Sequence, residues 1–201
     1  AIAQLKRALE LDPSRPDLLA ELERIYEREG RYPELVQILE AQAGRVEEVS
    51  TKAVLHERIA SIQEEQLGDR DAAINHLVTA RDFEPERVSV LTTLERLFTE
   101  SERWEELIDT LERLAALEED QAARVDYFSR IGSLWDEKLS NLAESVKSWE
   151  RVRELDENNV TALEALVSLY ERTGDDRLFV DRSASLADLV SDDKARSVHL
   201  L

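Results

Sequence analysis

One line of this chain is written twice. Residues 22–40 read LERIYEREGRYPELVQILE, and residues 94–112 read LERLFTESERWEELIDTLE. Laid over each other at a shift of 72, segments 14–85 and 86–157 share 18 identical positions. Among them are Leu19/Leu91, Leu22/Leu94, Arg24/Arg96, Leu35/Leu107, Leu39/Leu111, Ile59/Ile131 and Ser61/Ser133. A third copy opens at Asn158 and keeps Leu163, Leu166 and Tyr170 in register. Self-similarity at a fixed period is the signature of a repeat architecture, in which each unit buries its apolar face against the next. Residues 1–13 read as half a hairpin, 14–85 and 86–157 as two-hairpin units, and 158–201 as a truncated third, all within one array.

The apolar residues have helical period. Leu91, Leu94, Leu97 and Phe98 share one face; TESER interrupts; Trp104, Leu107, Ile108, Leu111 and Leu114 form a second stripe. Two such stripes joined by a short polar turn make an αα-hairpin. Phe128, Ile131, Leu134 and Trp135, followed by Val146, Trp149, Val152 and Leu155, make the next one. The pattern predicts helices over 2–11, 15–29, 33–47, 51–67, 70–83, 86–100, 103–117, 121–139, 142–155, 159–173, 176–190 and 192–201. Ser14, Ser50, Asp69 and Asn141 each sit where a side-chain oxygen can cap a first turn, and Pro16 suits a first helical position.

These hairpins resemble tetratricopeptide repeats, whose pattern runs large residue, Leu-Gly, Tyr, Ala, aromatic, Pro. FSRIGSLW (128–135) carries the core, with Ile131-Gly132 as the Leu-Gly pair; LLAELERIY and LTTLERLF keep the skeleton. RDAAINHLVTARDFEP and AIAQLKRALELDP resemble the second helix with its closing Pro85 and Pro13, and GDR and GDD at Gly68 and Gly174 fit the turn. Departures are Glu23, Glu95 and Val167 for the close-packing Gly, and Leu35 and Leu107 for the small Ala. The resemblance implies an all-α, right-handed αα-superhelix, a solenoid of about 5–6 helical hairpins.

Chemistry is sparse. The chain has no Cys, which removes disulfides, thiol nucleophiles and thiolate metal sites. Neither His56, His76 nor His199 has a second His at helical spacing, so no metal site is expected; His56 stands at the large-residue position of its hairpin. The carboxylate pairs fall mostly at helix ends and turns, and phosphate loops and nucleophile elbows are absent, so neither catalysis nor a cofactor is expected. Trp104, Trp135 and Trp149 lie on apolar stripes and read as core rather than as a ligand-stacking set. The net charge of −19 is spread along the chain and disfavours nucleic acid. It leaves open a solvated surface or the steering of a basic partner. No apolar run is long enough to span a membrane.

In tetratricopeptide arrays the first helices of the hairpins line the concave groove. The resemblance therefore places Ala20, Arg24, Glu57, Ser61, Thr92, Arg96, Ser129, Ser133, Glu164 and Ser168 on that surface. Arg24 and Arg96 can hold a carboxylate of a peptide, or can pair with Glu27 and Glu100 on their own helices. The expected function is a non-catalytic scaffold that binds a peptide or partner domain. The alternative is a structural spacer or self-assembly segment acting through exposed end repeats. A chain that opens without Met and in mid-hairpin is expected to be a piece of a larger, bacterial-type multi-repeat protein. With no signal-peptide pattern, the cytoplasm is the favoured location.

Overall fold

A computed structural model describes residues 2–12 and 15–198. The described residues form helices and no strand. In order these are α1 (Ile2–Leu11), α2 (Pro16–Glu29), α3 (Tyr32–Ala43), α4 (Val49–Glu65), α5 (Arg70–Phe83), α6 (Val88–Glu100), α7 (Trp104–Leu117), α8 (Gln121–Glu137), α9 (Leu142–Leu155), α10 (Val160–Thr173) and α11 (Asp176–Val198). The all-α expectation holds. One expected break does not: 176–190 and 192–201 were read as two helices, yet α11 runs unbroken to Val198. No Gly or Pro occurs after Gly174, so nothing in that stretch forces the backbone out of the helix.

The chain divides into two compact units, Ala1–Leu97 and Phe98–Leu201. In the first, Leu22, Tyr26, Leu35, Val36, Leu39, Ile59 and Ile62 form one buried cluster, with Leu5 and Leu9 of α1 packed against it. In the second, Trp149, Val152, Ala162, Leu166, Leu169 and Tyr170 do the same, with Phe128, Leu178 and Phe179 at the edge. Each cluster joins helices that follow one another in sequence, as stacked repeats require.

The copies turn in the same way. Arg31, Arg103 and Asp175 donate their backbone N–H to Tyr26, Phe98 and Tyr170 at 2.8, 3.0 and 3.1 Å, closing three equivalent helix ends. Gly30, Glu102 and Gly174 hold the left-handed conformation there, with φ of 67, 55 and 74°. Gly68 and Ser140 repeat it one hairpin on, with φ of 68 and 53°. Two of the expected caps form: Asp69 accepts from the Ala72 N–H at 3.0 Å and Asn141 from Glu144 at 3.3 Å. Asp120 and Asn159 are further caps, accepting from Ala123 and Ala162 at 2.9 and 3.0 Å. Ser50 does not cap: α4 starts earlier, at Val49, and the Ser50 hydroxyl donates to Glu48. Ser14 lies outside the described residues.

Helices α8 and α9 approach each other closely at Gly132. A Cβ added to Gly132 would lie 2.6 Å from Trp149 Nε1, and the buried Ser145 hydroxyl donates to the Gly132 carbonyl at 2.8 Å. The small residue read as half of the Ile131-Gly132 pair thus makes room for an indole.

Between α4 and α5, His56 Nδ1 and His76 Nδ1 face each other at 3.0 Å. The ring centroids are 5.3 Å apart with the planes 29° from parallel, and in the neutral pair one Nδ1–H can donate to the other ring's Nδ1. His76 Nε2 lies 3.6 Å from Glu40 on α3. Burial lowers both imidazole pKa values, His76 and Lys52 lower that of His56 further, and Glu40 partly opposes the shift in each.

Three outcomes follow. Glu102→Gly removes a left-handed glutamate and raises stability by up to about 1 kcal/mol in urea titration, because the side-chain strain relieved exceeds the entropy Gly adds to the unfolded chain. Gly132→Ala lowers stability by about 1–3 kcal/mol, since overpacking against Trp149 outweighs the roughly 1 kcal/mol that Ala adds to helix propensity. Adding Trp149→Leu should recover part of that loss; no recovery would locate the strain elsewhere. For the histidines, depressed pKa values mean that the neutral pair's contribution is complete above the ordinary value of 6.5 and lost as pH falls below it. The unfolding free energy of the wild type should drop between neutral and mildly acid pH, and His56→Gln/His76→Gln should flatten that drop. An unchanged slope would exonerate the pair.

Candidate functional site

The first helices of the hairpins present a mostly polar face, and the structure distributes the expected site residues over it unevenly. Arg24 is open: its side chain is 71% exposed and its guanidinium pairs with Glu21 of the same helix at 3.0 Å. The pairing with Glu27 read from spacing is not the one formed, because Glu27 is taken by Arg58 of α4. Arg96 reaches Glu64 on α4 at 2.7 Å, a partner 32 residues away. Hydrogen bonding to Arg96 holds the Glu64 carboxyl below its usual range, more than offsetting burial. Ser61 is exposed and donates to Glu65 at 3.1 Å. The Thr92 hydroxyl is turned onto its own helix, against the carbonyls of Val88 and Ser89 at 3.0 and 3.1 Å. Glu57 is engaged by Arg87 at 2.7 Å, and Ser168 is exposed on α10.

These pairs form a pattern that was not read from the sequence. Arginines on one first helix repeatedly take carboxylates on the first helix before it. Arg58 of α4 bonds Glu23 and Glu27 of α2. Arg87 and Arg96 bond Glu57 and Glu64 of α4. Arg172 of α10 grips Asp136 of α8 through both terminal nitrogens at 2.7 Å. Arg58 and Arg96 remain partly exposed, so each of their pairs contributes on the order of 0–1 kcal/mol; Arg172 is likewise partly exposed.

Ser129 and Ser133 sit differently. Both are half-buried on α8 and line a cavity of about 410 Å³ with Trp104, Leu107, Leu134 and Trp149. Arg130 and Glu137 stand at the same cavity. Ser129 donates to the Val125 carbonyl at 2.7 Å, which leaves its oxygen lone pairs able to accept. Trp149 is buried at 6% exposure, as a core residue should be. Trp104 and Trp135 are only half-buried, and Lys138 covers the Trp104 ring at 5.1 Å. The cavity walls are therefore indole and leucine, with hydroxyls and opposite charges beside them.

Tyr26 and Tyr170 fill one slot in two copies with different chemistry. The Tyr170 hydroxyl donates to Glu150 at 2.8 Å, and Arg153 and Arg182 donate to the same carboxylate. Burial and the Glu150 hydrogen bond push the Tyr170 pKa up to about 12. Glu150 is raised by its own burial, but bonds from Arg153 and Tyr170 bring it below the ordinary carboxylate value. In the first copy Lys6 stands at the position of Glu150 and lies against the Tyr26 ring, so the buried Tyr26 hydroxyl has no acceptor. Among the described residues, no group of three or more His, Cys, Asp or Glu side chains is arranged to hold a metal, and no helix is long and apolar enough to cross a membrane.

No curated protein matches the chain. Among solved structures, a tetratricopeptide repeat protein from Parabacteroides merdae is 19% identical, with a TM-score of 0.46 over 93% of this chain and 70% of that one. MamA residues 41-end from Desulfovibrio magneticus RS-1 is 16% identical, with a TM-score of 0.42 over 88% and 95%. A further MamA crystal structure is 12% identical, with a TM-score of 0.48 over 92% and 95%. The tetratricopeptide repeat family matches residues 18–53 and 90–124. The two stretches begin 72 residues apart, at one point of the repeated unit; over them the chain matches the tetratricopeptide repeat, and it is built as a helical-repeat protein.

Proposed function

We propose that the chain is a non-catalytic scaffold whose first-helix faces bind an extended peptide or a loop of a partner protein. The tetratricopeptide architecture supports protein interaction in general. One observation carries the finer reading: the cavity of about 410 Å³ that holds Ser129 and Ser133 between the two indoles. It suits one apolar side chain of a peptide, seated on Trp104 and Leu134, while the Ser129 oxygen accepts from the peptide backbone. Ser168 on α10 extends the same kind of polar, small-residue face within the second unit. In the first unit Arg24, Ser61, Thr92 and Arg96 would offer the corresponding contacts, with Arg24 the freest of them. A net charge of −19 favours a partner that is not itself strongly acidic overall.

The test is selection of random-sequence peptides on the whole chain, followed by fluorescence polarisation. Enriched peptides should lose at least about tenfold in affinity for Ser133→Arg, which fills the cavity, and nothing for Asn75→Arg on α5. Unchanged binding to Ser133→Arg would remove the cavity from the site, and failure of any peptide to enrich would remove the peptide-binding reading itself.

A further inference from the structure

The first unit answers the carboxylates of α4 from within the chain. Glu57 is taken by Arg87, Glu64 by Arg96, and Glu65 by the Ser61 hydroxyl at 3.1 Å. On α8, 72 residues further on, Ser129 replaces Glu57, and Asp136 is held by Arg172. The last two positions keep their residues and lose their bond. Ser133 and Glu137 are the counterparts of Ser61 and Glu65, yet among the described residues neither has a hydrogen-bond or ion-pair partner. Both line the cavity of about 410 Å³.

What that cavity leaves open is chiefly acceptor. Ser129 already donates its proton to the Val125 carbonyl, and Arg130 at the same cavity is not free. The Glu137 carboxylate, the Ser129 oxygen and the Ser133 hydroxyl remain. An occupant made only of carbon would cover the carboxylate with no donor to replace its water, which costs free energy. The Trp104 ring beside them already draws one cation: Lys138 lies over it at 5.1 Å without lining the cavity. An indole face next to an unpartnered carboxylate favours a positive charge.

We infer that the side chain this cavity takes from a partner protein is an arginine. Its methylenes lie along Leu134 and Trp104, and its guanidinium, stacked on the indole, reaches the Glu137 carboxylate and the Ser133 hydroxyl. A long cationic side chain buries its stem on apolar walls while its head stays with polar groups. Arginine fits better than lysine, because a planar guanidinium stacks and donates at once, in a fork that matches a carboxylate. The net charge of −19 draws a basic segment toward the chain before any contact forms. This choice of residue rests on the reading of the cavity as a peptide seat.

The probes are matched random-peptide pools that differ only in a fixed central residue: arginine, its uncharged isostere citrulline, lysine or leucine. Each is titrated against the whole chain. The arginine pool should bind at least about tenfold more tightly than the citrulline and leucine pools, with lysine between. Glu137→Gln should erase that margin, whereas Glu65→Gln, at the counterpart position, should keep it. Circular dichroism of Glu137→Gln should match the wild type, since Glu137 holds no other described residue. Citrulline or leucine binding as tightly as arginine, and lost in Ser133→Arg, would overturn the arginine while keeping the cavity as a peptide seat. A lysine pool equal to the arginine pool would overturn the guanidinium. An arginine margin that survives Glu137→Gln would overturn the site, because the overall charge is then the attraction. If no pool binds, the peptide seat itself falls, and the arginine with it.

Discussion

Every helix of this chain buries its apolar stripe against helices close to it in sequence, and the rest of the structure follows from that restriction. Leu22, Tyr26, Leu35 and Leu39 are almost completely enclosed by neighbours drawn from α1 to α4. With packing so local, the turns must return each helix at the same angle. The identical left-handed closures after Tyr26, Phe98 and Tyr170 do this. The tolerance is narrow enough that a glutamate accepts a conformation better suited to Gly at position 102. The first helices keep a polar face, and on it arginine–carboxylate pairs tie α4 to α2, α6 to α4 and α10 to α8. Half-exposed pairs add little stability. Their directional forks instead fix which turn of one helix faces which turn of the next.

The repeat, the hairpins and most helix bounds were legible because apolar period and copy number are properties of the line itself. The Asp69 and Asn141 caps were legible for the same reason: the residue type and its place before a periodic stretch are both local. Where the reading failed, the deciding interaction was not local. Ser50 looked like a cap, but α4 begins at Val49 and Glu48 gathers the hydroxyls of Ser50 and Thr51. Arg96 also reaches a carboxylate 32 residues away, Glu64, beyond the reach of helix spacing. The cavity at Ser129 and Ser133 depends on Trp149 arriving from the next helix over Gly132. Comparing copies position by position, rather than for identity alone, was the signal that would have exposed the arginine pattern.

Polar chemistry diverges where the backbone does not. His56 and His76 face each other through Nδ1 in the first copy, while Phe128 and Ser148 occupy the same positions in the second, and the Ser148 hydroxyl simply bonds Glu144 of its own helix. Tyr170 has Glu150, and Tyr26 has Lys6 instead. Such exchanges leave the apolar stripe untouched, which is why the fold tolerates them.

Function in a chain of this kind is therefore sought in what the copies do not share. Trp149 stands where the first copy has Leu77, and Gly132 where it has Ala60; together they shape the indole cavity in the second unit and not its counterpart in the first.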